Sequence, residues 1–155
     1  MTIRENSGRT ETRVDAEIAA TLKQLGVPYL FGIPGGGSSI DLIEACHTVG
    51  IPFVLVQHEA TASLMAVVCG ELSGSCGVCV SIMGPGAINL ASGSNYAHLE
   101  RHPLLCVTEC YDPAQSPLIS MQKIDHHRIF EPFGKESVTL TADNPRGQIE
   151  NAIKT

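Results

Sequence analysis

Glu59 is the side chain in this sequence best placed for acid or base chemistry, within the run Gln57-His58-Glu59-Ala60-Thr61-Ala62. Ahead of it, residues 52–57 (PFVLVQ) are apolar and β-branched, the composition of a fully buried strand in a parallel sheet. Behind it, residues 60–70 are almost all small or apolar, which predicts a helix buried on most of its circumference. A carboxylate at such a junction gains between a few tenths and about 1 kcal/mol from the helix N-terminus. Acidic residues occupy first turns for that reason alone, so the position does not by itself make Glu59 functional. Its company does more. Pro34-Gly35-Gly36-Gly37 and Gly84-Pro85-Gly86 end two other apolar runs, and in the first of these turns backbone can approach a ligand closely. Ligands of open α/β sheets bind at the carboxyl ends of strands, where all three stretches fall. His126-His127, near Gln122 and Asp125, suits either proton transfer or a solvated helix face, and the face is the simpler account. His58 is expected to be a packed or hydrogen-bonded neighbour of the glutamate.

The six cysteines include Cys76-x-x-Cys79 and Cys106-x-x-x-Cys110, which resemble ligand pairs for a metal. Cys76 and Cys79 straddle the start of an apparent strand, however, and an odd separation sends their side chains to opposite faces. Buried, reduced thiols are the expected state, with no metal site in the chain.

The elements that must position these residues alternate along the chain. After a loose tail at residues 1–11, Thr12-x-x-Asp15 opens a helix with an apolar stripe of Val14, Ile18, Leu22 and Leu25, stopped by Gly26. A strand over 27–33 leads into the first glycine turn. Ser38 or Ser39 then caps a second helix running to Gly50, with Ile40, Ile43, Cys46 and His47 on or beside its inner face. The strand and helix around Glu59 follow, closed by a Gly/Ser turn at 70–77. A strand over 78–82 enters Gly84-Pro85-Gly86 and a helix from Ala87 to Leu99. A strand over 104–108, an irregular connection over 110–117, a short helix carrying Gln122 to His127, a short strand over 138–140 and a helix from Asn144-Pro145 complete the chain. Helix and strand in strict alternation specify an α/β domain with a doubly wound parallel sheet flanked by helices.

At 155 residues this is one domain, burying roughly 68–70% of its extended surface. With 43% apolar, 17% charged and 5% aromatic residues, its core is aliphatic. A net charge of −6 provides no basic footprint for nucleic acid or for an anionic membrane surface. The polar N-terminus and the lack of a long apolar stretch place the chain in the cytoplasm. The glycines after the first strand approach a dinucleotide fingerprint, but G-x-G-x-x-G started at Gly35 meets Ile40, and started at Gly32 meets Pro34. No phosphate-binding G-x-x-x-x-G-K-[ST] occurs.

Phe31-Gly32-Ile33-Pro34-Gly35-Gly36, Gln57-His58-Glu59-Ala60, Gly84-Pro85-Gly86-Ala87-Ile88-Asn89 and Gln122-x-x-Asp125 together resemble the pyrimidine-binding (PYR) domain of thiamine diphosphate-dependent enzymes, in its acetolactate synthase-like branch. The resemblance spans residues 12–155 and implies a thiamine diphosphate-binding fold. It implies that Glu59 hydrogen-bonds N1′ of the aminopyrimidine and shares a proton with it, which burial among apolar side chains favours. The exocyclic nitrogen can then deprotonate C2 of the thiazolium for attack on a 2-oxo acid and loss of carbon dioxide. Pro34 and Gly35 would line the pocket, Pro85 and Asn89 would support the pyrimidine, and Gly36 and Gln122 would face the substrate.

The family holds the diphosphate through Mg2+ on a second domain with a Gly-Asp-Gly and a later Asn-Asn motif, and neither string occurs here. The chain also ends inside its last helix, before the final strand usual in that domain. The expectation is therefore a part of a longer decarboxylase or carboligase, or one subunit of a split enzyme. It would complete its site with a diphosphate-binding domain in a homo- or hetero-oligomer. A non-catalytic assembly or regulatory module of the same fold, and a nucleotide-binding domain, are the two alternatives.

Overall fold

The computed structural model describes residues 13–111 and 118–154. The expected tail, the capping Thr12 and most of the 110–117 connection lie outside the described residues. Four parallel strands, β1 (Leu30–Gly32), β2 (Phe53–Leu55), β3 (Gly77–Ser81) and β4 (Leu104–Thr108), form one sheet in the order β2-β1-β3-β4. Around them run α1 (Val14–Gln24), α2 (Ser38–Thr48), α3 (Glu59–Ser73), α4 (Pro85–Glu100), α5 (His126–Phe130) and α6 (Pro145–Lys154).

The sheet is doubly wound because its strands alternate apolar side chains between two cores. Leu30, Val78 and Val80 face Ile18, Leu22, Leu42, Cys46 and Ile149 of α1, α2 and α6. Phe31 and Cys79 face Ala62, Ala66 and Leu90 of α3 and α4 on the other side, with Phe130 of α5 packed against them. The parallel register pairs Phe31 with Val54 and with Cys79, and Cys79 in turn with Cys106. Chain order reverses at β1: α2 carries the chain one way to β2, and α3 carries it back across to β3. The carboxyl ends of β1 and β3 therefore flank a topological switch point, the place where open α/β sheets bind ligands.

Several expectations are corrected. Arg13, in extended conformation, stands at the N-cap of α1 without a capping side-chain bond, and Leu25 is exposed while Thr21 takes its buried place. The inner face of α2 is Ser39, Leu42 and Cys46, whereas Ile40 and His47 point to solvent. β2 is not fully buried, because the reversal leaves it at a sheet edge. α3 runs on to Ser73, ended by Gly74 in the left-handed conformation. It is also not buried all round: Leu64, Met65, Val68 and Leu72 form a second, exposed apolar stripe. Val138–Leu140 makes no strand. These residues and β4 line one half-open cleft of about 1340 Å³, which leaves the segment without a ladder partner among the described residues.

Cys79 and Cys106 meet as thiols with Sγ atoms 3.5 Å apart, and burial pushes the Cys46 and Cys76 thiols up to about 11. Among the described residues no group of three or more His, Cys, Asp or Glu side chains could hold a metal ion, and no helix is long and apolar enough to cross a membrane.

Leu90 is fully buried where α4 meets the sheet and α3. Leu90→Ala should lower the unfolding free energy by about 3–5 kcal/mol through lost transfer energy and a residual cavity. Urea denaturation measures this directly.

Candidate functional site

Each strand hands the chain to the site at its carboxyl end. β1 leads to Pro34–Gly37, β2 to His58-Glu59, β3 to Gly84-Pro85-Gly86 and β4 to Glu109. Glu59 is the first residue of α3, whose N-terminus is capped by the His58 side chain: Nδ1 accepts from the Ala60 N–H at 3.1 Å. The expected neighbourly role of His58 is thus a helix cap.

Glu59 is 8% exposed. It tolerates burial because α3 and α4 approach so closely that a Cβ on Gly93 would collide with the Ser63 side chain. That approach brings Asn89 Nδ2 to donate to Glu59 Oε2 at 2.9 Å. A hydrogen bond to a charged group is worth about 1.5–3 kcal/mol, enough to offset much of the desolvation. Oε1 accepts no hydrogen bond among the described residues. It lies 3.1 Å from where a Cβ would stand on Gly86, so a side chain there would crowd the oxygen. Pro85 opens α4 at the first helical position, where its missing N–H costs nothing. The structure therefore gathers Glu59, Pro85, Gly86 and Asn89 in one place.

Pro34, Gly35 and Gly36 lie beside them across Ile82. A Cβ on Gly35 would stand 2.7 Å from Ile82 Cγ1, and one on Gly86 2.8 Å from Ile82 Cγ2. Nothing lies within 4 Å of a Cβ built on Gly36, so that glycine faces open space.

Gln122 and Asp125 are not on the short helix expected to carry them. Asp125 caps α5, accepting from the Arg128 N–H, and Gln122 precedes it in left-handed conformation at φ 55°. Gln122 packs its backbone on Gly84, whose own φ of 69° and whose contact with Gln122 admit no side chain. The histidine pair also differs from an exposed helical face. His127 is exposed, but His126 is partly buried and holds Gly84. Its Nε2 accepts from the Gly84 N–H at 3.2 Å, which leaves the ring proton on Nδ1 for the Thr108 hydroxyl at 3.1 Å. The neutral ring is the one that fits.

Glu109 escaped the sequence reading. It is 5% exposed, accepts from the Ser39 N–H at 2.7 Å, and follows a strand with no glycine motif to draw attention to it. Its one signal in the sequence is an acidic residue directly after a short apolar run.

The chain is thus an open, doubly wound α/β domain whose buried carboxyl and two proline-glycine turns lie at the switch point, where such sheets bind ligands. The chain belongs to the thiamine pyrophosphate enzyme family, matching its N-terminal TPP binding domain over residues 12–129. It is 37% identical over 132 residues to the acetolactate synthase large subunit of Lactococcus lactis, covering 83% of this chain and 23% of that one. It is 31% identical over 139 residues to the catabolic acetolactate synthase of Raoultella terrigena, covering 88% and 24%. With 2-hydroxyacyl-CoA lyase 2 of Danio rerio it shares 33% over 118 residues, covering 76% and 19%. The chain thus spans about a quarter or less of the length of these relatives.

Burial, and next the neighbouring His127, lower the pKa of His126 below its usual 6.5, while Asp125 opposes the shift. A depressed folded value means that the unfolded chain binds the proton first. The contribution of His126 to stability is therefore complete above 6.5 and is lost as pH falls through the folded value. Unfolding free energy should drop as pH falls below 6.5 in the wild-type chain, and His126→Ala should be less stable at pH 7 with a shallower drop. Urea denaturation from pH 7 downward checks both.

Proposed function

We infer that this chain is the pyrimidine-binding part of a thiamine diphosphate-dependent enzyme that decarboxylates a 2-oxo acid or joins it to a second carbonyl compound. The observation that carries the reading is the buried Glu59, with Oε2 held by Asn89 and Oε1 turned toward the bare Cα of Gly86. Family membership and the names of the relatives support the same class of reaction.

The residues fit the cofactor's ring: a flat heterocycle needs a carboxyl at one edge and a wall without side chains, as Glu59 and Gly86 provide. Thiamine diphosphate, when bound, supplies the nucleophilic carbon and takes up the electrons released with carbon dioxide. Glu59 Oε1 would hold the proton shared with N1′ of the ring. Asn89 keeps the carboxyl from turning away, and Pro85 fixes the start of the helix that carries Asn89. Pro34 and Gly35 wall the other side, and Gly36 leaves open space toward the substrate. Gln122 borders the substrate side next to Gly84. The diphosphate and its Mg2+ belong to a diphosphate-binding domain or subunit outside this chain.

In the protein assembled with its diphosphate-binding partner, Glu59→Gln should lower turnover by about 10²–10⁴-fold, the range of a general acid–base contribution. The fold should persist, since the amide oxygen still accepts from Asn89. Near-normal turnover in this variant would sink the assignment, and circular dichroism confirms that the fold is kept.

The exposed stripe of α3 supports a partner. Leu64, Met65, Val68 and Leu72 are 42%, 40%, 48% and 83% exposed on the helix that begins with Glu59, and together they are a large apolar surface to leave in water. Leu64→Asp with Leu72→Asp should change the stability of the single chain by no more than about 1 kcal/mol, the sum of two surface changes within a helix. In sedimentation velocity the assembled protein should shift to the separate subunit.

A further inference from the structure

Among the described residues two acidic side chains are buried, Glu59 and Glu109, and the function proposed above uses only the first. Glu109 directly follows β4, where its N–H donates to the Ser81 carbonyl at 3.3 Å. Its side chain crosses the end of β3 and reaches α2, where Oε1 accepts from the Ser39 N–H at 2.7 Å. Ser39 Oγ in turn accepts from the Gly35 N–H at 2.9 Å. The N-cap of α2 is Gly37, which has no side chain to cap with, so a carboxylate from 70 residues away takes that place. A negative charge there also complements the helix dipole.

The second oxygen of Glu109 says what the carboxylate does. Oε2 is buried without a hydrogen-bond partner among the described residues, and a Cβ on Gly35 would stand 2.8 Å from it. The back of the Pro34–Gly37 turn is thus packed on Glu109 and Ile82, while its front, at Gly36 and Gly37, is open. Three glycines in succession lose more backbone freedom on ordering than any other residues, and a turn of this composition does not hold itself in place.

We propose that Glu109 is a positioning residue that pins the Pro34–Gly37 turn through Ser39 and Gly35 and thereby sets the wall of the cofactor site. The pinning stands on the geometry alone; the consequence for the cofactor rests on the function proposed above. The role depends on reach. Asp has the charge but is one methylene too short to cross β3, whereas Gln has the reach and an amide oxygen that still accepts from Ser39.

Amide hydrogen exchange on the chain tests the pinning. The Ser39 and Gly35 amides should exchange on the order of tenfold faster or more in Glu109→Ala and Glu109→Asp, and within about threefold of wild type in Glu109→Gln. Ser39→Ala should release the Gly35 amide while the amide at position 39 stays protected, which decides the matter if Glu109→Ala does not fold. Unchanged protection in Glu109→Asp, or Glu109→Gln as deprotected as it, would overturn the proposal. In the assembled protein, half-saturation with thiamine diphosphate should rise about tenfold in Glu109→Asp and stay near wild type in Glu109→Gln, with kcat less affected than KM. Deprotection without that rise would overturn the link to the site. A wild-type protein that shows no dependence on thiamine diphosphate would instead overturn the functional reading and leave the pinning intact.

Discussion

A carboxylate taken out of water costs several kcal/mol unless its oxygens find donors, and the helical layer over one face of the sheet is arranged around that cost at Glu59. α3 starts on the glutamate and α4 supplies Asn89, so the close packing of the two helices brings donor and acceptor together. Small residues make the contact possible, with Ser63 against Gly93 at mid-helix and Gly86 beside Oε1 at the helix start. The small-residue composition of α3 and α4 is thus a condition for keeping this polar side chain inside.

The same logic extends to the turns. In a parallel sheet every strand delivers its carboxyl end to one edge, and the reversal at β1 opens a gap there. The loops that line the gap are rich in glycine and proline and have few side chains of their own to hold them. They are held from outside: His126 of α5 accepts from Gly84, and Glu109 after β4 accepts from Ser39. Both clamps come from the later half of the chain, and both are partly or fully buried where they act. The site is therefore a product of the whole domain and not of the three motifs that first mark it.

Outside the site, the domain leaves apolar surface uncovered along α3, and β4 borders an open cleft. α3 has two apolar faces at helical spacing, one on the sheet and one in solvent. A helix with that pattern gains more by being covered than a sheet-packed helix needs. The exposed face sits on the helix that begins with Glu59.

The sequence by itself determined the order of helices and strands, the parallel sheet, and the placing of Glu59 and the two proline-glycine turns at strand ends. Those features follow from local rules: short apolar, β-branched runs, glycine and proline at breaks, and an acid at a helix start. Asn89 is picked out only by the family resemblance of the stretch 84–89, not by a local rule. What local rules could not supply was which residues meet across the fold. That β2 is an edge strand, that α3 has an exposed stripe, and that Val138–Leu140 stays unpaired depend on strand order, which is set by packing between distant segments. The roles of His126 and Glu109 were hidden for the same reason: each acts through one hydrogen bond to a backbone N–H 42 or 70 residues away. A lone histidine or glutamate has no spacing that announces such a partner, and only the tertiary structure brings the two together.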